Sequence, residues 1–221
     1  YEADFKTNYQ QRRALAKATP PGIYGEFRAD AMAAEATPEE RDAEYRKRWE
    51  MGGLLFMGAF GDLMLDAEAN RSAADFVRAR IKETVKDAHV AELLCPDNII
   101  GGKRLCIDSS YYETFNRDNV SLVSVREQPI ERITRSAVLA HGQTYEIDAL
   151  VIATGFDAMT GALTAIDIRG RDGASLAERW AAGPSSYLGL AMADFPNLFT
   201  VTGPGSPSVF TNMLPTIEQH V

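Results

Sequence analysis

The chain has 221 residues, 45% of them hydrophobic, with 31 acidic against 23 basic side chains and a formal net charge of −8. That length and apolar share suffice for a sizeable core in one or two domains, whereas the acidic balance, with Lys and Arg scattered, excludes a nucleic-acid partner, which needs a concentrated basic face. The longest apolar run, 52–65, is interrupted by Asp62 and is shorter than the ~20 residues of a membrane-spanning helix, so no membrane segment is read.

In chain order, the first hundred residues carry helix signals. A first helix is broken off by Thr19-Pro20-Pro21-Gly22. Thr37-Pro38-Glu39-Glu40 is a capping box with proline at the first helical position, and the helix it opens runs through Trp49 to a stop at Gly52-Gly53. The charges of this helix read as a solvated face laced by i,i+4 pairs. Asn70 is placed as the cap of a following helix, on which Ala73, Phe76, Val77, Ile81 and Val85 share one face at 3.6-residue period. Pro96 closes this helical layer.

After Pro96 the apolar period changes from 3.6 to 2. "VSLVSV" (120–125) reads as a strand, and "PIERIT" and "AVLA" as the two arms of a hairpin. "DALVIATGF" (148–156) reads as a central strand, because Leu150-Val151-Ile152 lacks alternation. A last strand, "NLFTVTG" (197–203), leads through a Pro/Gly/Ser loop into a helix beginning near Thr211 or Asn212. Together these elements predict an α/β fold carrying a helical insertion.

Cys95 and Cys106 lack C-x-x-C spacing, and His89, His141 and His220 lie far apart, so neither a metal site nor a disulfide scaffold is expected, and a reducing cytoplasm fits. The loop "GPGSPS" (203–208) has the strand-loop-helix setting of a phosphate loop but not its chemistry. Pro204 and Pro207 remove N–H donors, and Ser208 stands at the third glycine position. A rigid pocket wall is the better reading. No G-x-G-x-x-G occurs in the chain. "ATG" (153–155) ends the central strand, where Gly155 permits close approach of a ligand, although a plain strand-to-loop turn accounts for it equally.

Lys103-Arg104 stands between Gly101-Gly102 and Leu105-Cys106-Ile107, at the entrance of an ordered segment. If the chain is extended there, neighbouring side chains point to opposite sides and suit two different tasks; a solvated dipeptide is the alternative.

The segments "GKRLCIDSSYYETFNRDNVSLV", "DALVIATGFDAMTGAL" and "RWAAGPSSYLGLAMADFPNLFTVTGPGSPSVFTNML" with the closing "IEQHV" occur in one order along the chain. In that order they resemble the class B flavoprotein monooxygenases, specifically Baeyer–Villiger monooxygenases of the phenylacetone and steroid monooxygenase type. The resemblance implies an internal stretch of a two-dinucleotide-binding-domain flavoprotein with Rossmann-like NADP and FAD domains. Residues 1–98 would be the helical insertion of the NADP domain, 99–155 that domain's C-terminal strands, and 156–221 a return segment of the FAD domain. The family's glycine-rich FAD and NADP turns and its fingerprint are expected outside these residues, so the 221 residues alone are expected to be inactive or to act as scaffold.

The implied activity uses NADPH to reduce FAD, which captures O2 as a C4a-peroxyflavin and inserts one oxygen next to a ketone carbonyl, giving an ester or lactone. Small ketones and O2 are then the partners. By position in the motif, Arg104 resembles the catalytic arginine, whose permanent charge suits an anionic reacting group beside the flavin. Lys103 resembles the lysine that contacts the adenosine 2′-phosphate, Gly155 falls among the cofactor-binding positions, and Met213 matches a residue touching FAD. Pro207, Ser208, Val209, Phe210 and Met213 match the border of the substrate pocket, which bulky Val209 and Phe210 would make apolar. Gly102 departs from the threonine that close relatives often carry. An N- or S-oxygenating flavin monooxygenase would share this architecture and is the alternative.

Overall fold

The computed structural model describes residues 2–19, 21–25, 27–28, 30–126, 128–206 and 211–221. The chain divides into two compact units, one of Tyr1–Gly25 with Ala153–Val221 and one of Glu26–Ile152. The first unit opens with helices α1 (Glu2–Thr7) and α2 (Tyr9–Lys17). After α2 the Thr19 hydroxyl donates to the Ala16 carbonyl at 2.8 Å and accepts from the Ile23 N–H at 3.1 Å, turning the chain where the sequence predicts a break.

The second unit begins its helical layer with α3 (Pro38–Met51). The Thr37 hydroxyl accepts from the Glu40 N–H at 3.2 Å, and the Glu40 carboxylate accepts from the Thr37 N–H at 2.9 Å, so the capping box satisfies two otherwise orphaned donors reciprocally. Gly52, with φ +67°, ends the helix in a conformation that favours glycine. Along α3, Asp42 and Arg46 form the expected exposed i,i+4 pair at 2.6 Å. Glu44 and Arg48 depart from the solvated-face reading: both are buried and paired at 2.7 Å. Arg48 follows Tyr45 by three residues and so shares its inward face.

The core of this layer is aromatic. Tyr45 lies with its ring centroid 5.5 Å from Phe56 and 5.6 Å from both Phe60 and Phe76, and Leu63 and Ala73 are buried with them. A 3-10 turn at Leu55–Gly58 brings Phe56 in, and the buried Asp62 carboxylate accepts the N–H groups of Ala33 and Ala34 at 2.8 and 3.0 Å.

Helix α4 (Ala67–Thr84) starts earlier than the sequence predicts. Its cap is Asp66, whose carboxylate accepts from the N–H groups of Glu68 and Ala69 at 2.9 and 2.8 Å. Ala67, Glu68 and Ala69 are helix formers that extend the first turn, which places Asn70 inside the helix and corrects its assignment as the cap. The expected apolar face holds: Ala73, Phe76, Ile81 and Val85 are buried. Helix α5 (Ala88–Leu94) and α6 (Tyr111–Thr114) come next. Tyr112 and Phe115 pack on a smaller cluster of Ile81, Val85 and Ala91, and Asn116 joins them by donating to Thr84 O and accepting from Lys86 N–H, each at 2.8 Å.

The expected hairpin is present as β1 (Arg132–Ile133) and β2 (Ala137–Ala140), joined by an unforeseen β3 (Gln143–Glu146) in an antiparallel sheet of order β1-β2-β3. Arg132 pairs with Leu139, and Ala140 with Gln143. The β2–β3 turn is His141-Gly142, both at positive φ (54° and 68°), as a two-residue hairpin turn requires.

Three other expected strands are not formed among the described residues. Residues 120–125 and 148–156 join no ladder, and in 197–203 only Phe199 makes an isolated bridge, to Ala191. A strand exists through a ladder of hydrogen bonds to a neighbouring strand; residues 120–125 and 148–156 have no such ladder and 197–203 only the one bridge, and Val151 is 85% and Phe156 99% exposed.

The first unit resumes with α7 (Gly161–Thr164) and α8 (Leu176–Arg179), around a core of Leu176, Trp180, Met192 and Phe195. It ends with α9 (Met213–His220), capped by Asn212, so that the helix begins within two residues of the expected start.

Candidate cofactor-binding and catalytic site

In the second unit, the Lys103-Arg104 dipeptide lies on a turn fixed from beneath. Ile100 is buried, and both of its backbone polar groups bond to one side chain: its N–H donates to Asn70 Oδ1 at 3.2 Å, and its carbonyl accepts from Asn70 Nδ2 at 2.9 Å. Asn70 Nδ2 also donates to the Leu63 carbonyl at 2.7 Å. The Gly102 N–H closes the turn on the Ile99 carbonyl at 3.0 Å. Between them, Gly101 has φ +82°, a conformation that favours glycine, and a Cβ there would lie 2.6 Å from Met64 Sδ. On the far side, Leu105 is half-buried against the aromatic core. Lys103 and Arg104 themselves are exposed.

Two adjacent cations on a held backbone suit anionic oxygen atoms. Lysine offers a compact point charge and arginine a planar fork of donors that match phosphate. The donor set of this segment therefore fits the phosphates of a dinucleotide. Sequence reasoning missed Asn70 as part of this site. The available signal was its spacing: three residues before Ala73 and seven before Val77, it falls on the apolar face of α4, where an amide requires partners.

The other candidate residues belong to the first unit. Gly155 has φ +88°, is exposed, and has no heavy atom within 4 Å of an added Cβ, leaving open space for close approach. Met213 is half-buried at the first position of α9. The start of that helix is tied to the chain's first segment: the Asn212 N–H donates to Pro21 O at 2.8 Å and Asn212 Nδ2 to Gly22 O at 3.1 Å. Further along α9, Glu218 pairs with Lys17 at 2.8 Å and with Arg13.

The loop into α9 is held at its entry. The Gly203 N–H and the Thr200 hydroxyl both donate to the Gly189 carbonyl at 2.9 Å, and the Ser186 hydroxyl donates to the Pro204 carbonyl. A Cβ on Gly203 would meet Thr200 Oγ1 at 2.3 Å. The expected pocket residues Pro207, Ser208, Val209 and Phe210 lie outside the described residues. Among the described residues, no group of three or more His, Cys, Asp or Glu could hold a metal ion, and no helix is long and apolar enough to cross a membrane.

No family model matches the chain. It is 43% identical over 199 residues to a Baeyer-Villiger monooxygenase of Pseudooceanicola batsensis, covering 88% of this chain and 36% of that protein. It is 41% identical over 225 residues to a phenazine N-monooxygenase of Lysobacter antibioticus, covering 100% of this chain and 41% of that protein. Among solved structures, oxidized steroid monooxygenase bound to NADP superposes with a TM-score of 0.91 at 47% identity, over 99% of this chain and 42% of that one. The chain's homologues thus include Baeyer–Villiger monooxygenases, its fold is the α/β fold of their structures, and those structures include complexes with FAD and NADP. The chain spans about a third to two fifths of the length of the curated relatives it matches.

Proposed function

We propose that this homologue of one stretch of the Baeyer–Villiger monooxygenases serves an enzyme of that activity. With NADPH as reductant, one atom of O2 is inserted beside a ketone carbonyl to give an ester or lactone, and the other leaves as water. The observation that carries this is the fit of 99% of the chain, at 47% identity, onto a steroid monooxygenase bound to NADP. The division into 1–98, 99–155 and 156–221 belongs to the same proposal; its second boundary lies close to the break between the compact units at Ile152 and Ala153. So does a cytoplasmic location, in keeping with two free cysteines.

FAD, when bound, supplies the activation of O2. The residues of this chain supply charge and position. Arg104 holds a cation that no accessible pH removes, where negative charge develops on the ketone oxygen, and in a water-poor site such a contact favours the transition state over the ground state. Lys103 contacts the 2′-phosphate of NADPH, which NADH lacks. Gly155 would admit a cofactor close to the backbone, and Met213 would contact the flavin. By resemblance, Pro207, Ser208, Val209 and Phe210 together with Met213 are assigned to the ketone pocket.

The identity with a phenazine N-monooxygenase supports a second reading, oxygenation at nitrogen. One experiment separates the two: the whole enzyme is supplied with NADPH, O2 and a panel of cyclic and linear ketones and heteroaromatic amines. Ester or lactone formation supports the first reading and N-oxide formation the second. NADPH consumption yielding only hydrogen peroxide contradicts both.

A further inference from the structure

We propose that Asn70 is a positioning residue for the cofactor-binding turn: from the apolar face of α4 it fixes, through the backbone of Ile100, the place where Lys103 and Arg104 stand. The proposal rests on the assignment of Lys103 to the 2′-phosphate of NADPH.

An amide inside a helix competes with the helix's own backbone bonding, and a buried one is costly unless its polar atoms are satisfied. Asn70 is buried, and its carboxamide makes three hydrogen bonds, all to backbone. Two of them grip the N–H and the carbonyl of the same residue, thirty positions along the chain. Holding both groups fixes the orientation of both peptide planes flanking Ile100, as pairing with a β-strand would. An apolar side chain could fill the space but not set that orientation.

Beyond Ile100 the chain has little slack. Gly101 is confined by Met64 and Met57, and Gly102 closes the turn on Ile99. Leu105 returns to the same core that buries Ile100. Lys103 and Arg104 are therefore the short exposed link between two points fixed on one core. A solvated pair of cations needs no such fixing. A charge-assisted hydrogen bond to phosphate does, because its strength falls steeply with distance and angle.

The test uses the whole enzyme and Asn70→Asp. The replacement keeps size and the acceptor for Ile100 N–H, but sets a carboxylate oxygen against the carbonyls of Leu63 and Ile100. Amide exchange across 100–105 is expected to accelerate about tenfold or more while the centre of α3 stays protected. The ratio of KM for NADH to KM for NADPH is expected to fall toward its value in Lys103→Ala, and ester formation is expected to fall with it, because Arg104 stands on the same turn. In the Asn70→Asp, Lys103→Ala double variant no further fall in the ratio is expected, since both act on one contact.

A merely structural role would speed exchange in α3 and α4 together and leave the ratio unchanged, overturning the proposal. Should Asn70→Asp fail to fold, the native enzyme decides: the Ile100 amide must exchange as slowly as amides in the centre of α3, and rapid exchange overturns the clamp. If Lys103→Ala lowers the ratio and Asn70→Asp does not, the proposal alone falls. If Lys103→Ala leaves the ratio unchanged, the assignment of the 2′-phosphate contact falls and takes the proposal with it.

Discussion

Phe76 and Phe156 are the same residue type with opposite fates. Phe76 is 8% exposed, stacked in the aromatic cluster of the helical layer; Phe156, at the end of the longest strand-like run, is 99% exposed. The difference arises from how the two kinds of element satisfy their backbones. A helix bonds to itself and needs only one face covered, so α3, α4 and the turn between them complete a core from residues near in sequence. A central strand needs a neighbour along each edge and a layer on each face, and in α/β sheets those neighbours come from distant chain. The helical layer finds what it needs among the described residues; the runs at 120–125, 148–156 and 197–203 do not.

The largest effect that tests this contrast is Leu63→Ala, which empties part of the helical core and should lower the free energy of unfolding by about 3–5 kcal/mol. Val151→Ser in the same 221-residue chain should change it by less than about 0.5 kcal/mol, because the side chain is already in water. Urea titration of the two variants side by side measures both; equal losses would break the comparison. Repeating Val151→Ser in the whole enzyme sharpens it, for a cost there of more than about 1 kcal/mol is expected once strand partners cover the side chain.

A smaller effect is expected at the start of α3. Thr37→Ala removes the acceptor for the Glu40 N–H and should cost about 1 kcal/mol, read from the urea midpoint. The smallest belongs to α9. Hydrogen bonds from Lys17 and then Arg13, with the charges of both cations behind them, hold the Glu218 carboxyl below its usual value near 4.5. A depressed carboxyl stabilises the fold above its unfolded pKa, and that contribution is lost as pH falls through the folded value. A slight loss of stability below about pH 4.5 is therefore expected, absent in Glu218→Gln and weakened by salt because the pair is exposed. A Glu218→Gln curve that parallels the wild type through that range would remove the pair from the account.

The contrast also explains what was legible. The Thr37–Glu40 box could be read to the residue and the start of α9 to within two residues, because capping chemistry is local. Asn70 and Arg48 were misplaced, because spacing shows which face a polar residue occupies but not a partner thirty residues away or that an ion pair is buried. The apolar runs of the expected strands were correctly seen as apolar; their ladders depend on neighbours that a run cannot name. At the candidate site the adjacent cations were visible as a pair, whereas the clamp beneath them became visible only once Ile100 was seen bonded to α4.

The central claim, that this segment places a catalytic cation in a ketone monooxygenase, is tested most directly by Arg104→Ala in the whole enzyme, with flavin reduction by NADPH and ester formation measured separately. Ester formation should fall by about 10²–10³ or more while flavin reduction stays within a few-fold of the wild type. Undiminished ester formation in that variant would contradict the account.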